Sequence, residues 1–113
     1  MPETDLQLLI DAAKESGKIA TKFFQSDPQV WEKSDDAGPV TEADLAVNTY
    51  LEGVLRTERP DYGWLSEETE NDCKRLEKSR VFVIDPIDGT RAFIAGRDMW
   101  AHSIALVEDG VPV

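Results

Sequence analysis

"VFVIDPIDGTRAF", Val81 to Phe93, decides how this chain is read. Four apolar residues run straight into two aspartates, a proline, a glycine and a threonine. The apolar run Val81 to Ile84 has the character of a short strand buried on both faces. A buried strand that empties into acid is costly unless a cation meets it there. Pro86 stiffens the turn and removes an N–H where the chain leaves the strand. Gly89 permits a positive φ or the close approach of a phosphate, and Thr90 caps a short helix that stops near Gly96.

The other elements follow outward from this stretch. Thr4 with Gln7 reads as a capping box, and Leu6, Leu9, Ile10, Ala13, Gly17, Ala20 and Phe24 keep helical spacing to about Gln25. Ser26-Asp27-Pro28 breaks that helix. Glu32 to Val40 is polar and turn-rich, a loop or a flexible hairpin. A second helix opens at the N-cap Thr41, with Asp44 at N3 and Val40 and Leu45 as a hydrophobic staple. Leu45, Asn48, Leu51 and Leu55 continue one face, and Pro60 ends it. Tyr62 to Ser66 reads as a strand ending at Glu67 and Glu68, and residues 69–80 as a loop. His102 to Val107, Asp109-Gly110 and Val111 onward read as a hairpin. Two helices followed by strands give an α+β fold in one domain. The sequence stops three residues into the last hairpin arm, so residues 1–113 are expected to be the amino-terminal portion of a longer domain.

Composition narrows the function. The net charge is −11, from 23 acids and 12 bases. Such a balance repels phosphate backbones and anionic lipid, which argues against a nucleic-acid polymer or a membrane surface as partner. It admits a small phosphorylated substrate only where metal ions or local bases offset the field. The amino terminus lacks the features of a signal peptide, and no apolar run approaches the roughly 18 residues of a membrane span. The single cysteine, Cys73, reads as a surface thiol in a reducing compartment. The expected location is the cytoplasm.

The telling acids lie at the ends of elements. Glu67 and Glu68 follow one strand, Asp85 and Asp88 another, and Asp44 sits in the first turn of a helix. If the two strands are neighbours, their carboxyl ends bring Glu67, Asp85 and Asp88 together. Carboxylates so gathered cannot all ionise without a compensating cation. Oxygen-only ligands select magnesium or calcium, and an open site with room for water and phosphate suits magnesium better. The carbonyl of Ile87 could face the same cation, while N–H groups at the following helix start face outward as an anion site. Cation and phosphate sites side by side are what phosphoryl transfer to water requires.

Each residue also has a plainer role. Asp44 can be only the N3 carboxylate of a capping box, Glu67 and Glu68 solvated charges, and the Asp85–Thr90 segment an ordinary turn. Lys33 is most simply a surface lysine, and His102 a strand residue packed against Trp100. Trp31, Trp64 and Trp100 are core or interface anchors before they are stacking platforms. The metal reading gains weight because three acid clusters and one phosphate turn occur together.

"DPIDGT", Asp85 to Thr90, preceded by an apolar strand and followed by Phe93, resembles the first signature of the inositol monophosphatase superfamily. "VTEAD", Val40 to Asp44, and "LSEE", Leu65 to Glu68, resemble its two other amino-terminal motifs in order and spacing. The resemblance implies a layered α/β sandwich of the sugar-phosphatase type, with paired helices against a largely antiparallel sheet. It implies Mg2+, two or three ions in a complete site. Glu67, Asp85 and the carbonyl of Ile87 would hold the first ion, and Asp85 and Asp88 would share the second. Thr90 and Asp44 would orient the nucleophilic water, Gly89 and Thr90 would grip the phosphate, and Lys33 would lie at the rim. Many members are homodimers. Members also carry a carboxyl-terminal lobe with a further metal-binding aspartate, absent from this sequence. Ala95 stands where many relatives place a polar residue. "LSEE" and "DDAGPVTEAD" look more like 3′(2′),5′-bisphosphate nucleotidases than animal inositol monophosphatases, and histidinol phosphatases share the same motifs. Two rival readings stand beside this one. One is a non-catalytic metal-binding or dimerisation fragment. The other is an aspartyl-phosphate enzyme of the haloacid dehalogenase type, whose D-x-D-G-T has one residue fewer than Asp85 to Asp88.

Overall fold

Thr4 starts the first helix, α1 (Asp5–Phe23), by accepting a hydrogen bond from the Gln7 N–H at 3.1 Å. The structure is a computed structural model that describes residues 4–25, 29–32, 39–69, 76–97 and 99–112. The expected box at Thr4 is half formed, because the Gln7 amide turns outward and donates to Asp11 instead. α1 buries Leu8, Ala12, Ser16 and Ala20 at i, i+4 spacing, and the three small residues let the helix approach closely. The expected face is corrected here: Leu6 is 69% exposed and Ile10 38%.

Strands β1 (Val30–Glu32) and β2 (Pro39–Thr41) form an antiparallel pair, the hairpin outcome for the polar segment between the helices. Residues 33–38, with Lys33, lie outside the described residues, as does Cys73. The second helix, α2 (Glu42–Glu58), has a complete capping box between Thr41 and Asp44. It buries Ala43, Asp44, Val47, Asn48, Leu51 and Leu55, but leaves Leu45 outside the core, so the expected staple does not bury its second member.

The main sheet has the order β3-β4-β5-β6, from β3 (Gly63–Ser66), β4 (Arg80–Asp88), β5 (Ala101–Glu108) and β6 (Val111–Pro112). β3 and β4 run parallel; β4–β5 and β5–β6 are antiparallel. Between β4 and β5 lies the short helix α3 (Thr90–Ile94). α1 and α2 lie against one sheet face, where Trp64, Phe82, Ile84, Ile87 and Leu106 complete the core. Val81 and Val83 alternate with these residues and are only half-buried, so the strand is not buried on both faces as its apolar run indicates. The expected α+β arrangement, two helices on a largely antiparallel sheet, is the one observed.

A charged clamp closes the end of the sheet away from the acids. Arg59 Nε donates to Asp5 Oδ1 at 2.8 Å, the Tyr62 hydroxyl donates to Asp5 Oδ2 at 3.0 Å, and Arg80 donates to that hydroxyl at 2.9 Å. Burial pushes the Asp5 carboxyl upward, but the hydrogen bonds from Arg59 and Tyr62 and the charges of Arg59 and Arg80 outweigh it, leaving it below its ordinary range. A carboxyl held low contributes stability above its unfolded value and loses it as pH falls through the folded one. Asp5→Asn is therefore expected to cost about 1 kcal/mol near neutral pH, discounted for partial exposure, with the difference vanishing in strong acid. Paired thermal melts across that range check it.

Candidate active site

The carboxyl ends of β3 and β4 are neighbours, since Ser66 pairs with Ile84 in parallel register. Ser66 faces inward to α2, so the next residue, Glu67, falls on the opposite face, with Leu65. There a pocket of about 300 Å³ is lined by Leu65, Glu67, Val83, Asp85 and Ser103, among others. Glu67 and Asp85 thus share one cavity.

Asp88 reaches the same face through an irregularity that the sequence does not announce. Asp85 pairs with Ser103 and Asp88 with Ala101, so β4 takes three steps where β5 takes two. In a regular strand, residues three apart face opposite sides. One extra bulged residue restores the parity and places both aspartates opposite residues of one β5 face. The strand therefore runs through Asp85-Pro86-Ile87-Asp88, and the expected turn after Ile84 is corrected to a bulged continuation. Pro86, buried, sits in the interrupted part of the ladder, where a missing N–H does least harm. Its carbonyl accepts from His102 Nδ1 at 2.6 Å, which fixes the proton on that nitrogen. His102 packs edge-on against Trp100, as its plainer reading holds.

Asp44 performs two tasks. Its Oδ2 accepts from the Thr41 N–H and hydroxyl at 2.9 and 2.6 Å, and its Oδ1 accepts from the Thr90 hydroxyl at 2.9 Å. One buried carboxylate thus both caps α2 and holds the Thr90 hydroxyl. Thr90 Oγ also lies 3.0 Å from the Ile87 carbonyl. Gly89, in the left-handed region at φ 92°, begins α3 without a side-chain cap.

The electrostatics centre on Asp85. Burial comes first, then the charges of Glu67, Asp88, Asp44 and Glu68, and together they push its carboxyl up to about 6. Among the described residues its Oδ1 is buried without a hydrogen-bond partner. An orphaned carboxylate oxygen amid other acids fits a hard cation, whose charge would hold Asp85 ionised. Among the described residues, however, no three acid, imidazole or thiol side chains are gathered closely enough to enclose an ion. The structure brings Glu67, Asp85 and Asp88 to one face, and Asp44 to Thr90; it does not close a cage.

Sequence reasoning missed the partners of Asn48. Its Oδ1 accepts from the Ser66 hydroxyl at 2.5 Å, and its Nδ2 donates to Thr69 Oγ at 2.9 Å, which also accepts from Trp64 Nε1 at 3.1 Å. The available signal was an amide on the inward stripe of α2, where a polar group must find partners.

The fold and this acid-lined strand end define a class, and the chain belongs to it: residues 1–113 match the model of the inositol monophosphatase family. Among curated relatives, a glucose-1-phosphate thymidylyltransferase of Streptomyces griseus is 40% identical over 95% of this chain and 40% of its own length. A histidinol-phosphatase of Mycobacterium tuberculosis is 36% identical over 99% of this chain and 42% of its own. The 3'(2'),5'-bisphosphate nucleotidase CysQ of Salmonella typhimurium is 34% identical over 96% and 45%. Among solved structures, the extragenic suppressor protein suhB from Bartonella henselae superposes with a TM-score of 0.85 at 30% identity, covering 96% of this chain and 42% of that one. The chain thus spans roughly two-fifths of the length of the relatives it matches. Among the described residues no helix is long and apolar enough to cross a membrane.

Proposed function

We propose that the chain supplies the metal-binding part of a magnesium-dependent phosphate monoesterase. The observation that carries this is Asp85: a half-buried carboxylate with one buried oxygen unpartnered among the described residues, sharing a pocket with Glu67 and a sheet face with Asp88. Glu67, Asp85 and the Ile87 carbonyl would hold one Mg2+, and Asp85 and Asp88 a second. Bound there, magnesium supplies Lewis acidity toward a phosphoryl oxygen and makes a bound water more acidic. Thr90 has its own proton committed to the Asp44 carboxylate, so its oxygen is left to accept a proton from a water and orient it. Gly89 brings the backbone close to the phosphate. Lys33 at the rim belongs to the same reading.

The substrate is a small phosphorylated metabolite, with a 3′(2′),5′-bisphosphate nucleotide placed first and inositol monophosphate or histidinol phosphate next. The names of the CysQ and histidinol-phosphatase relatives support this class. The thymidylyltransferase name describes another reaction, but the pocket's carboxylates suit metal-assisted attack of water. A cytoplasmic homodimer completes the reading, and sedimentation of the complete protein tests its oligomeric part.

The experiment is release of inorganic phosphate by the complete protein from these substrates, with Mg2+ and with excess chelator. Turnover is expected only with Mg2+. Undiminished turnover in chelator would refute the proposal, and a phosphoenzyme trapped on Asp85 would replace it with the covalent mechanism. A protein that binds Mg2+ but turns over none of these substrates would favour the non-catalytic reading.

A further inference from the structure

α2 carries two buried polar residues one turn apart on its inward stripe, Asp44 and Asn48, exposed by only 1% and 6%. Such groups are tolerated in a core only when their hydrogen bonds are met, and each meets them on a segment next to acids. Asp44 bonds Thr90, just after Asp88. Asn48 bonds Ser66 and Thr69, the two residues that bracket Glu67 and Glu68.

The bracketed turn needs such a hold. Among the described residues β3 pairs only with β4, and beyond Ser66 that pairing continues through the Glu67 N–H to Ile84 carbonyl bond at 3.3 Å. Like charges on Glu67 and Asp85 oppose their approach. Against this, Ser66 Oγ accepts from the Glu68 N–H and the Ser66 carbonyl from the Thr69 N–H, both at 3.3 Å. Asn48 and the Trp64 indole secure the two hydroxyls from the core side.

We propose that Asn48, Ser66 and Thr69 form a latch that positions the Glu67 carboxylate opposite Asp85, and thereby sets the affinity of the pocket for a divalent cation. The inference rests on the metal reading above. These are positioning residues: none of the three is assigned a cation or a substrate. Groups that orient metal ligands through hydrogen bonds typically contribute roughly 10–100-fold to affinity.

The test is Mn2+ binding to the full chain followed by electron paramagnetic resonance, with Glu67→Gln as the reference for a lost ligand. Thr69→Val keeps the shape but removes the hydroxyl that pairs Asn48 and Trp64; Thr69→Ser restores it. The latch predicts that Thr69→Val weakens Mn2+ binding at least about tenfold, as Glu67→Gln does, and that Thr69→Ser stays within about threefold of the parent. Ser66→Ala, which leaves the Thr69 bonds in place, repeats the comparison should Thr69→Val not fold. Unchanged Mn2+ affinity in Thr69→Val alongside a lowered melting temperature would assign the network to stability alone and overturn the latch, leaving the metal reading intact. Absence of Mn2+ binding in the parent itself would overturn both.

Discussion

Gly89→Ala is expected to destabilise the fold by about 3 kcal/mol or more, which for a domain this size lowers the melting temperature by at least about 10 °C. Two independent causes add. Gly89 sits at φ 92°, where a side chain costs about 1–2 kcal/mol from contact with its own backbone. A Cβ there would also lie 2.8 Å from the Met99 carbonyl oxygen and 3.3 Å from Trp100 Cα. Both atoms are backbone, so no rotamer change relieves the overlap. Moving that backbone would disturb Trp100, which packs against Phe93 and Phe24 with ring centroids 4.9 and 5.4 Å away. Gly110 provides the control: it too has positive φ, at 84°, but among the described residues nothing lies within 4 Å of its Cβ position. Gly110→Ala should therefore show only the conformational cost, about 1–2 kcal/mol. Equal melting temperatures for the two variants would show that the close approach at Gly89 carries no energetic weight.

Gly89 also shows how the sequence could be read, and where it could not. Glycine after Asp88 pointed to a positive φ, which the structure has at 92°, but not to the close approach of the Met99 and Trp100 backbone. The capping box at Thr41 was equally legible, because the spacing from Thr41 to Asp44 states a local hydrogen-bond pattern. Local chemistry of this kind is written in consecutive residues. The β4 bulge was not legible, since Asp, Pro and Gly are turn formers and only pairing with β5 keeps the chain extended. The inward face of α1 was misjudged for a related reason. Side-chain size favoured Leu6 and Ile10, whereas close helix packing selected Ala12 and Ser16 beside the expected Ala20. Asn48 fell on the right face but its purpose did not show, because its partners lie 18 and 21 residues away.

Asp85→Asn has the largest expected effect on activity and reverses sign for stability. Without metal, the carboxyl is raised to about 6, above its unfolded value, by burial and then by Glu67 and its neighbours. A group raised in this way contributes stability that is fully present below its unfolded value, near 4, and lost as pH rises through about 6. Asn has no proton to lose. In excess chelator near neutral pH, the variant should melt above the parent, and the gap should close as the pH approaches about 4. Added Mg2+ should invert the order, because a cation that binds only the native state stabilises it, and the proposed shared ligand is gone in the variant. For the complete protein, loss of that ligand is expected to remove about 4 kcal/mol of transition-state stabilisation, roughly a thousandfold in turnover. Thermal melts in chelator and in Mg2+ at both pH values, beside phosphate release, separate the claims. Superimposable pH profiles for parent and variant in chelator would show that Asp85 does not feel its acidic neighbours. A variant that Mg2+ stabilises as strongly as the parent would remove Asp85 from the metal site, whatever happened to turnover.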